Sequence, residues 1–112
     1  MYQLYVIEMS KKVFTENKKF REANPQFNGV LECLYVGMTS KTPNDRFEQH
    51  INGVVNKKGI KLSSNIVRKY GLYLRPSLFQ DLPKYRSKAE ALKAEKELAI
   101  NLRKNRYAVW VN

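Results

Sequence analysis

The side chains in this sequence whose types and spacing suit phosphate chemistry are gathered between Glu32 and His50. Cys33-Leu34-Tyr35-Val36 is apolar, aromatic and β-branched and stops at Gly37, which predicts a buried strand ending in a turn. The chain then enters a helix. Thr42 suits the N-cap, Pro43 the first helical position, and Asp45 brings a carboxylate to the positive helix end. Arg46 and His50 are four residues apart and share a face, beside an apolar stripe of Phe47 and Ile51. A strand tyrosine, a basic turn and an Arg/His pair on the next helix form a set able to converge on a phosphate. The plainer alternative is a core tyrosine beside a solvated helix face.

A second signal lies near the C-terminus. Ser87-Lys88-Ala89-Glu90 is a capping box, opening a helix that runs to about Lys104 with Ala91, Ala94, Leu98 and Leu102 turned inward. Glu90, Lys93, Lys96, Glu97 and Arg103 fall around the solvent side, whereas Glu95 falls on the buried one. A carboxylate there is costly unless a cation or hydrogen-bond donors receive it. An ion pair with an arginine such as Arg46 would satisfy it without any function.

The remaining elements must position these groups. Tyr2 to Met9 reads as a strand with Tyr5 at its middle. Ser10 to Val30 is a basic excursion carrying Lys11, Lys12, Lys18, Lys19 and Arg21, with a helical turn or two around Glu16 to Ala23 and turn chemistry at Asn24-Pro25 and Asn28-Gly29. Leu31 to Val36 is the second strand, and the helix from Thr42 ends at Gly53. Asn56 to Gly59 is a basic loop containing Lys57 and Lys58. Ser63 or Ser64 caps a short helix to Tyr70, which Gly71 closes in the left-handed conformation. Leu72 to Arg75 restarts as a strand, Pro76 marks an edge or a break, and Leu78-Phe79 continues it. Asp81 to Arg86 connects to the capping box, and Tyr107 to Val111 is the last strand.

Composition narrows the class. The 112 residues fit one domain, with a basic insertion at about 10–30. Against 21 Lys+Arg stand 10 Asp+Glu, a formal charge of +11. That surplus predicts attraction to polyanions, with nucleic acid the first candidate and an anionic membrane surface the second. The single cysteine, Cys33, allows no intrachain disulfide and suits a reducing compartment. Met1 to Ile7 is too short and too uncharged for a signal peptide. No apolar run approaches the roughly 20 residues that span a bilayer. The expectation is a soluble, cytoplasmic protein with no membrane association.

In order along the chain, these pieces resemble the GIY-YIG nucleases. Gln3-Leu4-Tyr5 stands for the first strand motif and Tyr35-Val36-Gly37 for the second, with both tyrosines and the last glycine kept and Gln3 replacing the first glycine. Arg46 and His50 match an Arg-x-x-x-His pair, and Glu90-Ala91-Leu92-Lys93-Ala94-Glu95 is similar to a Glu-Ala-Leu-x-x-Glu segment. Three departures accompany the match. The Tyr5 to Tyr35 separation is long, Met38 replaces a lysine found in some relatives, and Tyr107 occupies the position of a customary asparagine. The set looks like a small stand-alone bacterial or phage branch.

The resemblance implies an α/β (α+β) fold with a small central, mainly antiparallel sheet of about three strands flanked by helices. It also implies a metal-dependent endonuclease that hydrolyses DNA phosphodiester bonds. Glu95 would hold a single Mg²⁺ or Mn²⁺, Arg46 the nonbridging oxygens, and Tyr35 the water or phosphate. Tyr5 or His50 would be the base, and His50, titrating near neutrality, is chemically the easier one. Lys11, Lys12, Lys18, Lys19, Lys57 and Lys58, with Lys41 beside the site, would contact nucleic-acid backbone. No sequence-reading module is recognisable, so specificity would need a homodimer, a targeting partner or a structured substrate. The alternative is a catalytically inactive nucleic-acid-binding module of the same fold. A protein-interaction domain for an acidic partner is a third class.

Overall fold

A computed structural model describes residues 1–52 and 65–111. Alternation of side chains along the strands explains the layering. In β1 (Gln3–Met9) Tyr5, Ile7 and Met9 face one side and Val6 the other; in β2 (Cys33–Thr39) Cys33 and Tyr35 face the first side, Leu34 and Val36 the second. The first side is covered by α1 (Lys12–Glu16), α2 (Lys18–Ala23), α3 (Pro43–Asn52) and α4 (Asn65–Tyr70), which contribute Val13, Phe20, Phe47 and Val67. The second is covered by α5 (Lys88–Lys104) through Ala99 and Leu102.

The sheet has four strands, not about three, in the order β3-β1-β2-β4, with β3 at Gly71–Leu74 and β4 at Ala108–Val111. β1 pairs antiparallel with both β2 and β3, but β4 pairs parallel with β2. A parallel neighbour requires a long crossover, and the chain between β2 and β4, ending in α5, supplies it. None of the helices among the described residues is long and apolar enough to cross a membrane.

Local chemistry explains the helix ends. The Thr42 hydroxyl accepts from the Asp45 N–H at 3.1 Å, and the Ser87 hydroxyl accepts from the Glu90 N–H at 3.1 Å. Asn17 ends α1 and caps α2, its side chain accepting from the Phe20 N–H at 2.9 Å. The basic excursion is therefore more ordered than its sequence predicts, because Val13 and Phe20 give it an apolar side to bury.

Several expectations are corrected. Gly71 is not left-handed; it starts β3, and it must be glycine because a Cβ would stand 2.5 Å from the Val67 carbonyl oxygen. The strand does not continue past Pro76, whose fixed φ opens a 3₁₀ turn at Pro76–Leu78. In α3 the fully buried residue is His50, while Ile51 is exposed. In α5 the buried stripe is Ala91, Glu95, Ala99 and Leu102, so Glu95 lies at its centre. Lys57, Lys58, Gly53, Ser63 and Ser64 lie outside the described residues.

The outer edge of β4 is closed by one side chain. Buried Asn24 accepts from the Val109 N–H at 2.7 Å and donates to the Val109 carbonyl at 3.0 Å, as a neighbouring strand would. Its oxygen also accepts from Arg103 Nε at 3.2 Å. Asn24→Ala leaves the buried Val109 N–H unpaired, while the Val109 carbonyl keeps its bond from Arg103 NH2 at 2.9 Å, and is expected to cost about 1–3 kcal/mol, read as a lower urea midpoint with an unchanged m-value.

Candidate functional site

β2 extends beyond the described part of β4: their pairing runs to Val36 opposite Val111, and Gly37, Met38 and Thr39 have no strand neighbour on that edge among the described residues. A pocket of about 180 Å³ opens there, lined by Tyr5 from β1, Tyr35, Gly37 and Met38 from β2, Arg46 from α3, and Leu92 and Glu95 from α5. Four elements far apart in sequence thus bring two tyrosines, a guanidinium and a carboxylate to one depression. Gly37 makes the approach possible, since a Cβ there would run into the Tyr5 hydroxyl and stand 2.5 Å from its Cζ. Gly37→Ala should therefore displace Tyr5, costing about 1–3 kcal/mol of stability; heat denaturation and the loss of the Tyr5–His50 contact by NMR would report it.

The Tyr5 hydroxyl is the hub. It lies 2.8 Å from His50 Nε2 and takes hydrogen bonds from Arg46 and from the Tyr35 hydroxyl. Burial pushes the Tyr5 phenol up to about 12 even though the Arg46 charge and both hydrogen bonds pull it down, with Glu95 adding to the rise. Burial raises Tyr35 further still. Burial, and then the Arg46 charge, lower the His50 imidazole to about 4, so it is neutral at pH 7. The neutral ring accepts at Nε2 while the Tyr5 O–H donates. His50 does not line the pocket: it stands fully buried behind Tyr5, and its titration lies well below the near-neutral range expected of it.

Glu95 is 3% exposed, and burial raises its carboxyl to about 7, opposed by the charge of Lys96. No salt bridge among the described residues includes it, so pairing with Arg46 does not account for its place. Arg46 instead donates from NH1 to Gln49 Oε1 at 3.0 Å. A buried carboxylate of this kind has its charged form restored by a cation, and a divalent ion that completes its shell with water and phosphate oxygens needs only one such ligand. Among the described residues no group of three His, Cys, Asp or Glu side chains could cage a metal. The pocket thus offers a cation one buried carboxylate, that of Glu95.

Of the expected backbone-contacting lysines among the described residues, Lys11, Lys12, Lys18 and Lys19 do not line this pocket. Lys11 donates to the Gly29 and Val30 carbonyls at 3.0 and 3.3 Å and so ties down its own loop. Lys18 lies 3.9 Å from Glu22, and Lys19 lines a different groove with Lys69 and Trp110. Lys11 and Lys12 follow Met9, whereas Tyr5 pairs with Gly37 at the other end of the hairpin. Lys41 does lie close, in an adjoining cavity of about 460 Å³ lined by Tyr2, Met38, Thr39, Ser40, Lys41, Arg46, Gln49 and Lys88. Lys88 escaped the sequence reading because a lysine after a capping serine looks like solvated surface. Its place at the positive end of α5 was the available signal, since an ammonium there is disfavoured by about 0.3–1 kcal/mol.

Fold and site together define a mixed-sheet α/β protein with a polar pocket beyond the shorter of two parallel strands. No protein-family model, curated protein or solved structure matches the chain.

Proposed function

We propose that the protein is a divalent-metal-dependent endonuclease of the GIY-YIG type, hydrolysing DNA phosphodiester bonds. The observation that carries this reading is the convergence of Tyr5, Tyr35, Arg46 and Glu95 on one pocket from four separate elements. A binding surface has no need of a buried carboxylate that belongs to no ion pair among the described residues.

In this reading Arg46 grips the nonbridging oxygens through its planar fork. A water held by Tyr35 attacks the phosphorus as the bond to the leaving oxygen breaks; its proton passes to Tyr35 Oη, the Tyr35 proton to Tyr5 Oη and the Tyr5 proton to His50 Nε2. Arg46 and Tyr35, both donating to Tyr5 Oη, stabilise the charge that develops there. In this reading both candidate bases take part: Tyr5 lines the pocket, and His50 receives its proton from behind. The metal on Glu95 supplies charge stabilisation at phosphorus and at the leaving oxygen.

A second reading, a nucleic-acid-binding module without turnover, draws on the high Tyr5 and low His50 values, which make the proton transfer uphill. Labelled single-stranded, duplex and branched DNA incubated with Mg²⁺ or Mn²⁺ separates the two. Cutting that EDTA stops is the expected result; binding of all three with no cut under either metal favours the module.

A further inference from the structure

We propose that the cavity beside the catalytic pocket is a second phosphate subsite, in which Lys41 and Lys88 hold the backbone phosphate next to the one being cleaved. The proposal rests on the nuclease reading of the smaller pocket. The two cavities share Met38 and Arg46, so they form one continuous depression. Arg46 bridges them: it bonds to Tyr5 on the catalytic side, and its NH1 donates to Gln49, a wall of the larger cavity.

The charge of the larger cavity is one-sided. Among the described residues its lining includes Lys41, Arg46 and Lys88 and no carboxylate; Asp45 and Glu48 lie in a separate depression that shares Lys41 and Gln49 with it. Elsewhere among the described residues several cations are already engaged: Lys18 lies 3.9 Å from Glu22, Arg75 lies 2.8 Å from Glu8 and 3.6 Å from Glu32, and Lys11 donates to its own loop's carbonyls. Neither Lys41 nor Lys88 belongs to a salt bridge among the described residues. Two separate anchors fix them. The Lys41 N–H donates to the Thr39 hydroxyl at 3.0 Å, and its carbonyl accepts from Gln3 Nε2 at 2.9 Å, so the turn carrying it is tied to β1. Lys88 is the first residue of α5, whose start is held by the Ser87 cap.

A strand whose scissile phosphate sits against Arg46 and Glu95 and that runs on past Met38 enters the cavity lined by Lys41 and Lys88. Point charges of this kind hold phosphates without reading bases, so the subsite aligns the strand and is indifferent to sequence.

The test is equilibrium binding of fluorescent single-stranded and duplex oligonucleotides in EDTA, where turnover plays no part, across a salt series. The proteins are wild type, Lys41→Gln, Lys88→Gln, Lys88→Arg and, at the far end of α5, Lys104→Gln, each checked for an unchanged melting temperature. Lys41→Gln and Lys88→Gln should each weaken binding about three- to tenfold and flatten the log K against log salt slope by about 0.7–0.9, one phosphate contact each. Lys88→Arg should keep the wild-type slope, and Lys104→Gln should keep both slope and affinity. The subsite is overturned if Lys88→Gln behaves as Lys104→Gln does, or if it weakens binding of polyglutamate and leaves nucleic acid untouched, which would mark an acidic protein as the occupant. Flattened slopes from a wild type that never cuts DNA keep the subsite and remove the nuclease. Cleavage with unaltered slopes does the reverse.

Discussion

Glu95→Gln is expected to lower metal-dependent cleavage at least about 10³-fold and at the same time to stabilise the metal-free protein. Both effects follow from one buried carboxyl. The loss arises because an amide is a poor ligand for a hard divalent cation, and removal of charge stabilisation at a phosphoryl centre is worth several kcal/mol. The gain arises from linkage. The carboxyl titrates near 4.5 when unfolded and near 7 when folded, so folding disfavours its charged form. Below about pH 4.5 it is protonated in both states and folding meets no penalty. As pH rises to about 7 the unfolded chain ionises first and stability falls; above 7 the loss is constant. At pH 8 Glu95→Gln should therefore melt several degrees higher than wild type, about 1–3 kcal/mol after screening, with no difference at pH 4. Mn²⁺ should raise the melting temperature of wild type at pH 8 but not that of the variant. Wild-type metal affinity should fall about tenfold per pH unit below 7, because the ligand must be deprotonated. Calorimetric titration at pH 6, 7 and 8 measures that slope.

Tyr5→Phe has the second largest expected effect, a fall of about 10²–10⁴ in single-turnover rate at saturating metal with little change in DNA affinity. The phenol accepts from Arg46 and Tyr35 and donates to His50, so its removal breaks the route by which a proton leaves the pocket. His50→Phe should cost less, because Tyr5 Oη stays in the pocket. The double variant should be no slower than Tyr5→Phe alone, since groups on one proton path act as a unit. Additive losses would show that His50 acts elsewhere. The His50 value of about 4 adds a stability signature opposite to that of Glu95. Buried in its neutral form, it contributes stability that is complete above pH 6.5 and is lost as pH falls to about 4. In the Glu95→Gln background the rising limb from Glu95 is gone, and His50→Phe should reduce the loss of stability between pH 6.5 and 4.

The parts of this site legible in the sequence are those where a residue contradicts its local pattern or fits a fixed spacing. Glu95 stood out because a carboxylate interrupts an inward helical stripe, and Tyr35 because it lies in an apolar run; Gly37 does not end the strand as expected, since β2 continues to Thr39. Thr42, Pro43 and Asp45 announced a helix start whose hydrogen bond the structure contains. Other features depend on tertiary packing that spacing does not encode. The Arg46–His50 spacing shows a shared face, but not that the imidazole is sealed behind Tyr5 while the guanidinium reaches the pocket. Lys88 is solvated surface until α5 is laid beside the end of β2. Asn24 reads as a turn residue before a proline, and only the docking of α2 on β4 makes it the closure of a sheet edge. The parallel β2–β4 pair was hidden for the same reason: strand direction is set by the crossover that brings β4 back, not by the composition of Tyr107 to Val111.

The most direct test of the nuclease site is cleavage of end-labelled single-stranded, duplex and branched DNA by wild type, Glu95→Ala and Arg46→Ala, purified identically and assayed with Mg²⁺ or Mn²⁺. The predicted result is cutting of at least one substrate by wild type that EDTA, Glu95→Ala and Arg46→Ala each abolish. Cutting that survives in Glu95→Ala at the wild-type rate, or a wild type that binds every substrate and cuts none, would contradict it.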